Sequence, residues 1–297
     1  MIRILLALCM FVLLACSSPV APLPDAGAPP DLTLSSAEYT VQPGEEIQYL
    51  NTPIKPPGAL AIRKVQPHYG PGVHHAVQWR VLPLFAAGLP TEPYQSPEIA
   101  PVGHIPLYVG GTSETALETP PGTAFDVPAE DTLIMQLHLL WTGSAPVTGK
   151  TTLDLWLTEE PHEPANVYAF DNATFEIPPQ TQGFKTSVTC TLAADLEVFA
   201  VWPHMHAQGD AIEVTRNGQP WWSQDHWDLY DQPIVYFESS LSQGDEITIT
   251  CTMHNASAFS VPRATGGAGG MCSLLAYHSG PSAGKFFACV DGQTISL

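Results

Sequence analysis

The sequence predicts an all-β protein built from antiparallel sandwiches, and three observations carry that expectation. Short β-rich runs recur along the chain. Thirty prolines and 23 glycines punctuate it. No long stretch carries the 3.6-residue apolar period of a helix. The runs are AVQWRVL (76–82), TLIMQLHLLW (132–141), TTLDLWLT (151–158), SVTCTL (187–192), LEVFAVW (196–202), AIEVTR (211–216), EITITCTM (246–253), CSLLAY (272–277) and KFFACV (285–290). Turn chemistry separates them: RNGQ (216–219) has the Asn-Gly core of a tight hairpin, and SQGDE (242–246) supplies another turn. Strands at this spacing imply a sandwich or jelly roll.

The sequence opens MIRILLALCMFVLLACSSP. One arginine precedes an apolar run from Ile4 to Ala15 that is too short to span a bilayer, which is the pattern of a signal peptide. Leu13-Leu14-Ala15-Cys16 has the form of a bacterial lipobox, in which Cys16 is lipidated and becomes the first mature residue. Ordinary secretion with cleavage nearby is the alternative. Residues 1–16 are thus expected to be a lipoprotein signal peptide. Residues 17–33, rich in Pro, Ala and Ser, are expected to be a flexible linker. The mature protein is expected to be exported and held at the bacterial cell envelope by its lipid anchor, with no other membrane contact.

The remainder is long enough for two β-domains. The Pro-containing polar stretch EEPHEPANVY (159–168) marks a boundary between roughly 34–160 and 165–297. Net charge is −19 with only 10 lysines and arginines, which argues against nucleic acid as a partner. Beyond Cys9 and Cys16, the cysteines are Cys190, Cys251, Cys272 and Cys289, all in the last third. Export permits disulfides. Four cysteines allow three pairings, which the sequence alone leaves open.

Eleven histidines supply the candidate ligands. In PHMHAQG (203–209), His204 and His206 are two residues apart, and such positions share one strand face. Met205 points the other way. His74 and His75 open a strand in GVHHAVQWRV; adjacent side chains diverge on a regular strand, so both reach one ion only at a strand end or kink, for which Pro71 and Gly72 provide a site. His138 lies among apolar residues in IMQLHLLW, and with His74 and His75 would complete a three-imidazole set suited to copper or zinc. Met271, in GGAGGMCSLLAY, offers a thioether, a soft ligand that selects copper over zinc. Taken singly, these residues also fit blander roles: a surface His pair, a satisfied core His, a gap-filling Met. His68, His104, His162, His226, His254 and His278 are assigned structural or surface roles, although His254 and His278 could lie near either set.

Together these motifs resemble the copper type II, ascorbate-dependent monooxygenases, the family of the peptidylglycine α-hydroxylating and dopamine β-monooxygenases. The resemblance runs from about residue 65 to 290. A His-His pair matches His74 and His75. A Gln-x-His strand matches Gln136 and His138. An H-x-H motif after an apolar strand matches His204 and His206, and a Met-Cys pair after a Gly-rich turn matches Met271 and Cys272. The resemblance implies two tandem antiparallel jelly-roll domains, two coppers per chain facing each other across a solvent-filled cleft, and Gln136 supporting the first site. It implies that the His204/His206/Met271 copper reacts with O2 and hydroxylates a substrate C–H, and that the His74/His75/His138 copper takes electrons from a reductant such as ascorbate. It also implies the disulfides Cys190–Cys289 and Cys251–Cys272.

The chain departs from the peptide-amidating branch. Where that branch holds a carboxylate with Arg, Asn and Tyr, this sequence has Trp202, Ser273 and Leu275, and the acidic residue before the ligand Met is Gly270. Trp202 and Leu275 lead us to expect an apolar or aromatic small-molecule substrate in a pocket they line. The alternative function is a copper-sequestering lipoprotein without catalysis.

Overall fold

A computed structural model describes residues 27–99 and 101–297. The signal peptide and lipobox, with Cys9 and Cys16, lie outside the described residues, as does most of the expected linker. The linker's last residues are not free. The Trp156 indole donates to the Ala28 carbonyl, the Asp31 carboxylate accepts the Leu157 N–H, and a strand begins at Leu32. The expected linker of 17–33 therefore ends several residues earlier, because its tail is hydrogen-bonded to a sheet edge.

The regular elements of the described residues are strands, apart from one four-residue helix at Pro83–Ala86. The largest sheet runs through the whole structure in the order Leu32–Ser35, Thr152–Leu157, Leu60–His68, Thr123–Val127, Glu163–Asp171, Cys272–Ser279, Leu196–Met205, Val235–Leu241. Pairing is mostly antiparallel, but Phe287–Val290 joins Glu163–Asp171 in parallel. The polar stretch read as a boundary thus runs into a strand. Glu163 and Pro164 pair with Thr123 and Ala124, and Ala165–Asp171 pairs with Cys272–Ser279.

Two further sheets pack on this one. A five-stranded sheet has Thr132–Leu140 at its centre, between Glu46–Ile54 and Val73–Val81, with His104–Gly111 beyond the latter. Its Val77, Leu133 and Leu137 share a core with Ile62, Leu153 and Leu155 of the large sheet. A four-stranded sheet of Thr181–Thr191, Glu246–Asn255, Gly209–Arg216 and Gln219–Gln224 puts Val188, Ile212 and Ile249 against Phe170, Val198 and Leu274 in a second core. The Gly209–Arg216/Gln219–Gln224 hairpin closes at Asn217 and Gly218, both at positive φ, as the Asn-Gly turn requires.

Beyond the exposed Glu197, the VFAVW run (198–202) is apolar because strand Leu196–Met205 is covered there on both faces. Val198, Val201 and Met205 enter the second core, while Phe199 and Trp202 pack with Tyr277 against the first. Burying a Phe side chain is worth roughly 1.5–3 kcal/mol. The Tyr277 hydroxyl clamps the seam by accepting the Val109 N–H at 2.9 Å and donating to the Val109 carbonyl at 3.2 Å.

Both implied disulfides are formed, and each ties the four-stranded sheet to the large one: Cys190–Cys289 and Cys251–Cys272. They close loops of 99 and 21 residues. Loop-closure entropy then predicts that a Cys190→Ser/Cys289→Ser variant loses about 4.7 kcal/mol and a Cys251→Ser/Cys272→Ser variant about 3 kcal/mol. Urea unfolding of the two double variants tests the order. A larger loss for the shorter loop would contradict it.

Candidate metal centre

The first three histidines meet because the five-stranded sheet is irregular where it carries them. His138 pairs with His75, but the next residue, Leu139, pairs with Val73, so His74 is the extra residue of a β-bulge. A bulge opposes two residues to one and re-aims side chains, which lets neighbouring histidines turn to the same side. The other neighbour of the strand is also irregular there: Leu137 pairs with Leu50 and Leu139 with Ile47. The result is a triad whose ligand nitrogens all lie within 4.8 Å of one another.

The second set forms where two strands end together. His204 pairs with Ser273 and Met205 with Cys272, so the same register sets His206 beside Met271. Met205 is buried in the second core, on the opposite face from His204. Cys272 is held by its disulfide, which fixes the backbone next to Met271.

The two sets are not separated by a cleft. Ring centroids within the triad are 4.9–5.2 Å apart, and those of His204 and His206 are 5.2 Å apart. Between the sets, His75 and His204 are also 5.2 Å apart, and His74 and His206 are 6.0 Å apart. All five imidazoles and Met271 are buried. The expected solvent-filled gap is replaced by ring contact, because Trp202 and Tyr277 pack the second unit directly onto the first.

The hydrogen bonds around the rings fix which nitrogen is free. His204 Nδ1 bonds Gln232 Oε1 at 2.8 Å, and His206 Nδ1 bonds the Gly269 carbonyl at 2.9 Å. Both partners are acceptors, so each Nδ1 carries the proton and each Nε2 presents a lone pair. His138 Nε2 bonds Glu46 Oε1 at 2.7 Å, leaving Nδ1 as its lone-pair atom. The Nε2 atoms of His204 and His206, Nδ1 of His138 and both ring nitrogens of His75 are buried with no hydrogen-bond partner. Buried nitrogens left bare on four convergent rings are the arrangement a metal ligand needs, with acceptors behind three of them fixing the tautomer. Three imidazoles plus an imidazole–imidazole–thioether set fit copper.

Burial, reinforced by the neighbouring rings, pushes His74 down to about 3 and His206 down to about 4. His75 and His204 are held well below the usual histidine range for the same reason. Burial also lowers His138, although Glu46 opposes the shift. The rings are therefore neutral, and ready to coordinate, at pH 7.

The remaining sequence candidates fall elsewhere. Gln136 is buried and bonds Trp79, Asn51 and the Glu98 carbonyl rather than an imidazole. His68, His162 and His254 pair with Asp154, Asp126 and Asp210. His104 packs edge-on to Trp79, and His278 is buried in strand Cys272–Ser279, away from the cluster. Trp202 and Leu275 pack against the core instead of forming the expected pocket wall. Trp202 stacks on His204 at 4.7 Å, donates to the Gln232 carbonyl and is buried in the first core, against which Leu275 also packs. Ser273 bonds Asp171, which also takes Arg263. A cavity of about 1010 Å³ opens instead along Arg63, Pro120, Pro121, His162, Phe199 and Tyr236, and none of the cluster lines it.

Sequence reading missed Glu46, Gln232, Tyr49 and the Gly269 carbonyl. Tyr49 is fully buried with its ring 5.5 Å from His138. Gln232 is fully buried on a loop held to the first unit: Thr112 bonds the Tyr230 carbonyl, and Gly111 lies so close that a Cβ there would meet Gln232 Cβ at 2.6 Å.

Comparison with known proteins matches the second half of the chain to a family. Residues 165–290 match the family described as copper type II ascorbate-dependent monooxygenase, C-terminal domain. That stretch contains His204, His206, Met271 and all four disulfide cysteines, and its similarity is to a copper-dependent oxidoreductase domain whose family uses ascorbate. No curated protein is detectably similar in sequence. Similar solved structures include PBCV-1 VP54, fitted into a cryo-EM reconstruction of the virophage Sputnik, at 10% identity and TM-score 0.28, covering 84% of this chain and 93% of that one. PNGF-II follows at 9% identity and TM-score 0.33, covering 78% of this chain and 60% of that one. TM-scores this low identify neither fold nor activity.

Two outcomes are expected. Gln232→Leu, which removes the acceptor behind His204, should weaken copper binding by roughly 10–100-fold in competition titrations, while His68→Ala should leave it unchanged. In metal-free protein, the unfolded chain takes up protons below the ordinary histidine value of 6.5, whereas folded His74 does so only near 3. Stability should therefore fall as pH drops through that window, by up to about 1.4 kcal/mol per pH unit for each such ring. A urea midpoint that is flat between pH 7 and 5 would contradict this.

Proposed function

We propose that this protein is an exported copper-dependent monooxygenase that hydroxylates a substrate C–H bond with O2 and an ascorbate-type reductant. In this reading it binds two coppers, one at His74, His75 and His138 and one at His204, His206 and Met271. Units of roughly 34–160 and 165–297 each bring one set, and Cys16 anchors the chain by lipid to the cell envelope. The observation that supports it best is the buried convergence of five imidazoles, four of them with bare nitrogens, beside Met271, within a chain whose 165–290 stretch matches that monooxygenase domain.

Copper bound there would supply one-electron redox chemistry with dioxygen. One oxygen atom goes to the substrate carbon and the other to water, with two electrons and two protons drawn from the reductant. The chain's own groups do the rest. Gln232 and the Gly269 carbonyl hold protons on His204 and His206 Nδ1, keeping Nε2 of each as donor. At His138 the positions are reversed: Glu46 holds the proton on Nε2 and Nδ1 is the donor. Replacing one imidazole by thioether favours the Cu(I) form. Trp202 covers the His204 ring and keeps water from that face.

One observation favours the copper-sequestering reading instead. Trp202 is buried in the core, and Leu275 packs partly buried against it. The two readings separate in one experiment. Copper per mature chain is measured for the wild type and for Met271→Ala, while ascorbate-dependent oxygen consumption is followed. Two coppers per chain, with oxygen consumption lost in Met271→Ala, are expected. Two coppers with no oxygen chemistry under any reductant would leave metal handling as the function.

A further inference from the structure

Between the two ligand sets lies one acidic residue that belongs to neither. Glu46 starts strand Glu46–Ile54 in the five-stranded sheet. Its Oε1 accepts His138 Nε2–H at 2.7 Å and the Gly267 N–H at 2.6 Å. Gly267 belongs to the loop GGAGG (266–270), on the other side of the seam, which runs directly into Met271. The same loop supplies the Gly269 carbonyl that orients His206.

The loop is closed at its base and bonded at one point to His206, while its tip at Gly267 has Glu46. Within itself it has the Gly269 N–H to Gly266 carbonyl turn; at its base the Gly270 N–H bonds the Pro262 carbonyl and the Ala264 N–H bonds the Gly270 carbonyl, and the Gly269 carbonyl accepts from His206. Across the seam the Tyr49 hydroxyl reaches the Thr265 carbonyl, and the Thr265 hydroxyl reaches the Pro97 carbonyl, both at 3.4 Å. Those two contacts are long and neutral. The Glu46–Gly267 bond is short and charge-assisted, a class roughly twice as strong as a neutral bond. Glycines carry the highest conformational entropy of any residue, so a Gly-rich segment depends on such external bonds to stay ordered.

We infer that Glu46 is a positioning residue that latches the 266–270 loop across the seam and thereby couples the two ligand sets: the carboxylate oxygen that orients His138 also holds the segment that aims Met271 and His206. The inference deepens the copper reading of this site and rests on it for its metal-binding consequences. The latch acts through ordinary geometry: loss of Glu46 frees the loop, and the thioether and the Gly269 carbonyl lose their fixed positions together.

The test uses the full mature chain with Glu46→Ala, Glu46→Gln and the neighbouring Glu45→Ala as control. Hydrogen exchange of the metal-free protein is read over residues 264–271. Cu(I) affinity of each set is read by competition titration, and sulfur coordination by X-ray absorption. In Glu46→Ala, exchange protection of the loop should drop. The His204/His206/Met271 set should weaken by about 10-fold or more, although Glu46 touches none of its ligands, and the copper–sulfur signal should fall. Glu46→Gln keeps an acceptor oxygen and should recover much of each. If Glu46→Ala weakens only the His74/His75/His138 set, with loop protection and the copper–sulfur signal unchanged, the latch is wrong. Should the wild type bind no copper, the proposed function fails, yet the exchange experiment still decides whether Glu46 holds the loop.

Discussion

The structure turns on one costly feature: imidazoles packed ring against ring, away from water, with bare nitrogens. A buried polar atom without a partner costs about 1–3 kcal/mol. Five such ring nitrogens converge here, on His75, His138, His204 and His206. Their combined cost rivals the 5–15 kcal/mol by which a whole domain is stable. Nothing in the cluster offsets that in the absence of a ligand, since neighbouring neutral rings offer each other no hydrogen bond. The compensation lies around it. Two disulfides staple the sandwich behind Met271, a continuous sheet runs beneath both units, and aromatic side chains fill the seam. Such a framework holds an unfavourable site in place, and a metal would convert one bare nitrogen on each of these four rings from a liability into a bond.

The residues that cluster here stood out in the sequence because few other tasks need such patterns. A His-x-His at the end of an apolar strand, a His-His pair at a strand start and a Met-Cys after glycines are sparse patterns. The disulfides followed from the resemblance rather than from spacing. The all-β class was equally readable, since prolines, glycines and short β-branched runs are local signals. What stayed hidden was set by long-range contact. The bulge that aims His74 and His75 depends on how Val73–Val81 registers with Thr132–Leu140, and register is not written in either strand alone. Glu46 and Gln232 are residue types found on every surface; only their distant partners, His138 and His204, give them a role. The cleft expected between the sets failed for the same reason, because Trp202 was read as a pocket wall when its partners lie across the seam.

Trp202 shows how closely structure and chemistry compete at this seam. Strand Leu196–Met205 is buried on both faces, so the side of it that carries His204 must also carry seam-filling bulk. An arginine at position 202 would bury a charge against Tyr277 and Phe199, which no neighbouring carboxylate is placed to pair. A flat indole instead satisfies the packing, stacks on His204 and bonds the Gln232 backbone, whose side chain orients that same imidazole. The fill that stabilises the junction therefore also closes the face of His204 on which a substrate would sit. The same junction carries three further contacts, Tyr277 with Val109, Gly111 against Gln232, and Glu46 with Gly267, so the packing that joins the two sets of imidazoles is also the packing that encloses His204.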